Sequence, residues 1–297
     1  MGKIKRTFGF ILNHPLGKRY PLKALFRFLY WQIQCNIQPS KLMIKHFVAG
    51  TRFYARKGLA GITGNIYTGL HEFNDMAFLL HFLRAEDFFF DIGANVGSYT
   101  LLASGVCKAK TIAIEASANT ADLARKNINL NQLQNKVTLI NAAAGAAIGK
   151  LSFSNNEDTT NHVINQNEIS DNNVETVEVI KIDDITINAK PALIKVDVEG
   201  FETEVLKGMR ETLQQPTLKA IVIELNGSGE RYGHNDADIH QLLTFNTFKP
   251  YQYDPFKRNL TLLKSYGNAN TLYCRDIDFV EKRVKTAEKF KVMGKKI

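Results

Sequence analysis

Twice in this chain an apolar run ends in an acid and passes at once into a glycine turn. The first instance is Phe88-Phe89-Phe90-Asp91-Ile92-Gly93-Ala94-Asn95-Val96-Gly97-Ser98-Tyr99-Thr100, and the second is Ala192-Leu193-Ile194-Lys195-Val196-Asp197-Val198-Glu199-Gly200. Each reads as a strand, a turn and the start of a helix, the opening unit of a nucleotide-binding α/β sheet. Further apolar runs fall between helical patterns: Thr111-Ile112-Ala113-Ile114 ending in Glu115, Val137 to Asn141, and Ala220 to Leu225. Strands alternating with helices predict a mostly parallel sheet with crossover helices. In such a sheet, ligands sit at the carboxyl ends of the strands.

The glycine spacing narrows the ligand. A dinucleotide site wants G-x-G-x-x-G, whereas Gly93 and Gly97 stand four apart with Asn95 between them. This disfavours an NAD-dependent oxidoreductase. A wider D-x-G-x-N-x-G turn has no pyrophosphate to cradle and suits a ligand that joins an amino acid to a nucleoside, such as S-adenosylmethionine. Asp91 can accept hydrogen bonds from a cationic amine or from a polar loop. Glu115, at the tip of the second strand, can take both ribose hydroxyls. Small residues after the third strand, Ala142 to Gly145, leave room for an adenine ring or make a tight turn.

Asp197 and Glu199 lie beside the same crevice, where two carboxylates are costly unless they bind something. One could serve as a base for an acceptor hydroxyl. They could instead hold Mg²⁺, a use that ranks lower because no third fixed ligand is apparent and no metal residue is assigned. Glu202 and Glu204 sit in the next helix's first turn, where the helix dipole accounts for them. Glu72 precedes a helix over Met76 to Phe82; it either caps that helix or reaches the ligand.

Charge divides the 297 residues into three. Residues 1–71 carry twelve Lys or Arg and no acid, and 281–297 carry +5, so the body between them holds −8 of the net +9. Boundaries are therefore set at 1–70 for a basic, largely helical extension, 71–280 for the main domain and 281–297 for a basic tail, read as a solvated or membrane-facing helix. In the extension Leu22, Leu25, Phe26, Leu29 and Ile33 form one apolar stripe of a helix starting near Pro21, with Lys23 and Arg27 off it. That stripe either packs on the main domain or lies on an anionic membrane face, with nucleic acid ranking below both. Thr51 to Ile66 suggests a small hairpin. Asn155 to Asn173 is a polar, Asn-rich loop between two strand-like runs, and His162 within it is a weak site candidate. No apolar run is long enough to span a bilayer. Cys35, Cys107 and Cys274 have no metal spacing, so reduced thiols in the cytoplasm are expected.

The two acid-tipped segments, with Asn141-Ala142-Ala143, Ile223-Glu224 and the run Glu202, Val205, Leu206, Lys207, Gly208, resemble the FkbM-type methyltransferases. The resemblance runs from about Gly69 to Cys274. Its specific part is Ile194-Lys195-Val196-Asp197-Val198-Glu199-Gly200. It implies a class I Rossmann-like, doubly wound sheet of seven strands, one antiparallel, and S-adenosylmethionine as cofactor. It also implies O-methylation of a sugar, glycan or glycolipid-like acceptor. By the same resemblance Asp91, Gly93, Asn95, Gly97 and Thr100 hold the methionine end. Glu115 holds the ribose, Asn141 lies near the adenine, and Asp197 and Glu199 face the methyl-transfer site. Two positions depart from the family pattern: Ala116 stands where proline is frequent, and His71 where an aromatic is frequent beside Glu72. The rival readings are a non-catalytic membrane- or nucleic-acid-binding protein on the same fold and, below it, an NAD-dependent oxidoreductase.

Overall fold

The computed structural model describes residues 2–154, 162–164 and 174–297. Much of the Asn-rich segment 155–173 therefore lies outside the described residues.

One eight-stranded sheet dominates. Its strands in chain order are β1 (Phe88–Ile92), β2 (Lys110–Glu115), β3 (Val137–Asn141), β4 (Pro191–Val196), β5 (Ala220–Glu224), β6 (Lys249–Asp254), β7 (Asn259–Leu262) and β8 (Asn270–Cys274). Their spatial order is β7-β6-β8-β5-β4-β1-β2-β3. Strands β1 to β5 run parallel, and β8 runs antiparallel to both β5 and β6. The class I α/β architecture expected from the sequence is present. It carries one strand more than the seven anticipated, because 255–258 closes a hairpin between β6 and β7. Asp254 Oδ1 accepts from the amides of Phe256 and Lys257 at 2.9 and 3.1 Å, and Arg258 takes φ +54°.

Alternation along the strands divides the core between the two faces of the sheet. Phe89, Ala113, Leu193 and Val222 join one apolar cluster; Phe90, Ile112, Ile194 and Ile221 join the other. The helix Phe73–Phe82 and the basic extension cover the first face. Ile11, Leu16, Phe28 and Trp31 of the extension belong to the same cluster as Phe89. The helices Glu202–Lys207 and Asp236–Phe245 cover the second.

The extension is mostly helical: Gly2–Asn13, Pro15–Arg19, Pro21–Ile37 and Ala60–Thr68. Its hairpin pairs Met43–His46 with Arg52–Ala55, earlier than the expected Thr51 to Ile66, because Ala49 and Gly50 take the positive φ that turns the chain. Asn127, fully buried on the helix Ala118–Leu130, clips this hairpin to the first glycine loop. Its Oδ1 accepts from Tyr54 N at 2.7 Å, and its Nδ2 donates to Val96 O at 2.8 Å. Asn127→Ala would strand both backbone groups, at about 1–3 kcal/mol each. The expected result is a melting temperature several degrees lower, read by calorimetry.

The basic tail also differs from expectation. The helix Ile277–Thr286 ends, and Lys291–Val292 pairs with Lys295–Lys296 as a short hairpin. Met293 and Gly294 take φ of +48° and +83°, which turns the chain back on itself, and Val292 and Met293 are then buried beside Gly69. No helix among the described residues is long and apolar enough to cross a membrane.

Candidate active site

Strand order reverses between β1 and β4, and there the two acid-tipped segments meet. Asp91 and Lys195 are register partners on the neighbouring strands. Beyond the strand ends, Gly93 N donates to Ile114 O at 2.9 Å and Asp197 N donates to Ile92 O at 3.0 Å. The two loops cross so closely that a Cβ at Gly93 would fall 1.7 Å from Asp197 O. Gly93 also has φ +78°, so both its missing side chain and its left-handed backbone are needed. A cavity of about 310 Å³ opens at this crossing. It is at the lower end of the range for small-molecule sites, about 300–1,000 Å³.

One end of the cavity is apolar. Ala116, Ala142, Ala143, Phe153 and Val163 line it, and a three-stranded sheet of Ala143–Ala144, Gly149–Ser154 and Val174–Ile180 supports it. Glu115 marks the boundary with the glycine loop. Its Oε2 accepts from Asn95 N at 2.8 Å and its Oε1 from Ser117 N at 3.0 Å. Each oxygen keeps a lone pair for a further donor. Burial pushes the Glu115 carboxyl up to about 7 against the pull of those two amides.

The other end is crowded with charge. Lys195 is buried, the one basic residue in a strand buried at every position. Its ammonium lies 2.5 Å from Asp197 Oδ2 and 4.9 Å from the centre of the Tyr99 ring. Burial alone would lower the Lys195 pKa; Asp197, Glu72 and Asp91 outweigh it, so the lysine stays charged. Tyr99 Oη donates to Glu72 Oε2 at 2.6 Å. Glu72 precedes the helix Phe73–Phe82, makes no side-chain cap there and lines the cavity.

Asp197, Glu199 and Glu224 each bring a carboxylate oxygen within 4.8 Å of the others. Burial and then Asp197 push Glu199 up to about 7 and Glu224 to about 8. Glu224 Oε2 is buried with no hydrogen-bond partner, and it lines the cavity. Glu199 holds φ +54°, a conformation that costs a non-glycine residue energy and is kept where the surroundings dictate it. Glu202 Oε1 fixes the loop by accepting from Val198 N and Gly200 N at 3.0 and 3.3 Å.

Of the residues singled out from the sequence, Glu72, Asp91, Gly93, Asn95, Glu115, Asp197 and Glu199 line this cavity. Gly97, Thr100 and Asn141 are not among its lining residues. Thr100 points inward, where its N and Oγ1 donate to Asp91 Oδ2 at 3.0 and 2.6 Å, so much of the Asp91 carboxylate's capacity is spent holding the helix start to β1. Gly97 supplies a left-handed residue, φ +88°, just before the helix Ser98–Thr100. Asn141 Nδ2 donates to Glu115 O and Ala116 O at 2.9 Å each, tying the tips of β2 and β3 together; its neighbours Ala142 and Ala143 line the cavity instead. His162 sits in a short β-bridge segment, its amide donating to Ser154 Oγ at 2.9 Å, and it does not line the cavity. Sequence reasoning missed Lys195, Tyr99 and Glu224 as site residues. A lone lysine inside an apolar strand and an acid at a strand tip were the available signals.

A second cavity of about 280 Å³ adjoins the first and shares His71, Glu72 and Glu224 with it. His14, Asn74, Asp75 and Asn270 add to its polar wall. Asp75 is pushed up to about 7 by burial and by Glu72, partly offset by its hydrogen bond with Asn270.

Residues 91–250 match the model of the methyltransferase FkbM domain. Among curated relatives, the hexuronic acid methyltransferase AglP of Haloferax volcanii is 28% identical over 169 residues, covering 56% of this chain and 65% of that protein. The match thus spans slightly under two thirds of that relative's length. Among solved structures, the precorrin 8w decarboxylase of Methanobacterium thermoautotrophicum superposes with a TM-score of 0.40 at 14% identity, covering 69% of this chain and 89% of that one. The precorrin-6y C5,15-methyltransferase of Geobacter metallireducens gives 0.40 at 14% identity, covering 75% and 93%.

Proposed function

Because the chain belongs to the methyltransferase FkbM domain family, we propose that it moves a methyl group from S-adenosylmethionine to a hydroxyl of a sugar or glycan. The observation that carries this reading is the meeting of the Asp91–Gly97 and Asp197–Gly200 loops over one cavity, apolar at one end and carboxylate-lined at the other. The similarity to a hexuronic acid methyltransferase supports a sugar-type acceptor.

In this reading the Ala116, Ala142, Ala143 and Phe153 slot takes the adenine, and the free lone pairs of Glu115 take the ribose hydroxyls. The glycine loop at Gly93 and Asn95, with Glu72, borders the amino-acid end. Asp91 and Thr100 hold that loop in shape. The cofactor supplies an electrophilic methyl group on a sulfonium centre. The chain's own part is to align the acceptor oxygen with it and to take that oxygen's proton. Glu199 is the base: a carboxylate raised to about 7 is matched to accepting a proton near neutral pH. Lys195 clamps Asp197, which orients the acceptor by hydrogen bonding. The acceptor sugar enters through the second cavity, whose polar wall suits several hydroxyls. Calorimetric titration with S-adenosylmethionine and S-adenosylhomocysteine tests the cofactor, and heat from neither sinks the reading. Glycans from cells with and without the gene should differ by the mass of a methylene at a uronic acid or other sugar residue.

The spacing of Asp197, Glu199 and Glu224 also suits a divalent cation. With protons and Lys195 balancing these acids, turnover is expected to survive dialysis against EDTA. Loss of turnover that Mg²⁺ restores would reassign all three as metal ligands.

A further inference from the structure

The helix Pro21–Ile37 buries only one of its faces. Ala24, Phe28, Trp31 and Cys35 pack into the core of the main sheet. On the outer face Leu22, Phe26, Leu29, Tyr30, Ile33 and Ile37 are between 53% and 83% exposed. These are large apolar side chains in an unbroken row over about four helical turns, roughly 22 Å at 1.5 Å per residue. Single exposed hydrophobics are ordinary, but a contiguous row of six is a contact surface.

The charges around the row select the partner. No acid occurs before Glu72, and Lys18, Arg19, Lys23 and Lys41 are all exposed beside the helix. The tail joins them: Lys23 Nζ reaches Met293 O at 3.5 Å, so Lys289, Lys291 and Lys296, also exposed, flank the same region. Basic segments from the two ends of the chain thus meet at Lys23, beside the apolar row. A second copy of the chain docking here would bring two such basic regions together and be repelled. A bilayer of anionic phospholipid offers hydrocarbon to the row and negative headgroups to the lysines. We infer that the helix Pro21–Ile37 lies in the plane of an anionic membrane surface, with its outer face in the headgroup–acyl boundary. At 17 residues, with Lys23 and Arg27 within it, the helix rests on the bilayer and does not cross it. The inference is independent of which acceptor is methylated. Its consequence for the site is positional, because His14 and Pro15, just before this helix, border the second cavity.

The test is flotation of the full chain with vesicles of phosphatidylcholine alone and of phosphatidylcholine with phosphatidylserine. The expected result is binding to the second kind only, weakened by added salt. The variant Leu22→Ser/Phe26→Ser/Leu29→Ser/Ile33→Ser changes exposed positions only and should lower the partition coefficient at least about tenfold. Its circular dichroism and melting temperature, recorded alongside, establish that it is folded. Lys18→Glu/Lys41→Glu should weaken binding without touching the row. Wild-type protein that stays with neither vesicle, or a folded serine variant that floats as well as wild type, overturns the inference. So does a wild-type dimer in light scattering that the serine variant dissociates, since a second copy would then cover the row.

Discussion

Glu199→Gln is expected to lower kcat by about 10²–10⁴-fold, the usual contribution of a positioned base, with affinity for S-adenosylmethionine largely retained. Glutamine keeps the size of the side chain and the backbone cost already met at φ +54°, so only the proton acceptor is lost. The wild-type rate should rise as pH passes through about 7, where Glu199 gives up its proton, and the residual rate of the variant should lose that rise. The neighbouring Glu224, raised to about 8, and Glu199 share one charge environment, so the measured inflection belongs to the group. A variant with the wild-type profile and rate removes Glu199 from the mechanism. The same carboxyls set the pH dependence of folding. Burial raises Glu115, Glu199 and Glu202 to about 7 from an ordinary value of 4.5. The folded chain therefore holds protons that the unfolded chain has released. Stability from this source is fully present below about pH 4.5 and is lost as pH rises from about 4.5 to about 7, so the melting temperature of the unliganded protein should fall across that window and level off above it.

Gly93→Ala is expected to weaken S-adenosylmethionine binding by at least about 100-fold, or about 2.7 kcal/mol. Two costs act together: alanine is strained at φ +78°, and its Cβ would stand 1.7 Å from a backbone oxygen, which no rotamer relieves. The loops must part, and the cavity changes shape. Gly97→Ala is the control. It has a similar φ, +88°, but its Cβ would meet nothing nearer than 3.8 Å. It should show only the backbone cost, about 1 kcal/mol. Calorimetric titration of both variants separates close approach from conformation; equal losses would contradict the crossing of the loops.

Much of the site was legible because its acids terminate apolar runs, and a strand's end is where an open sheet binds ligands. Asp91, Glu115, Asp197 and Glu199 follow from that rule alone. What the pattern cannot reveal is which way a polar loop atom turns. Thr100 faces Asp91, and Asn141 faces the carbonyls of Glu115 and Ala116, through contacts that depend on how neighbouring segments lie. Glu202 looked like a helix-dipole acid, yet it secures the Asp197–Gly200 loop through two amides. Lys195 stood in plain view inside an apolar strand, but its role needs the register that sets it opposite Asp91. The tail hairpin buries Val292 and Met293 against residues more than two hundred positions away, beyond the reach of local periodicity.

The interlock of Gly93 with Asp197 also fixes when the site comes into being. The two residues are far apart in the chain, and closing so long a stretch costs entropy before any contact repays it. A nascent polypeptide that has emerged only as far as β3 holds the whole Asp91–Thr100 motif but lacks the floor it rests on. The pocket is whole only with β4 beside β1 and with β5 bringing Glu224 to its wall, so a ligand that binds it holds together the most distant pairing at the centre of the sheet.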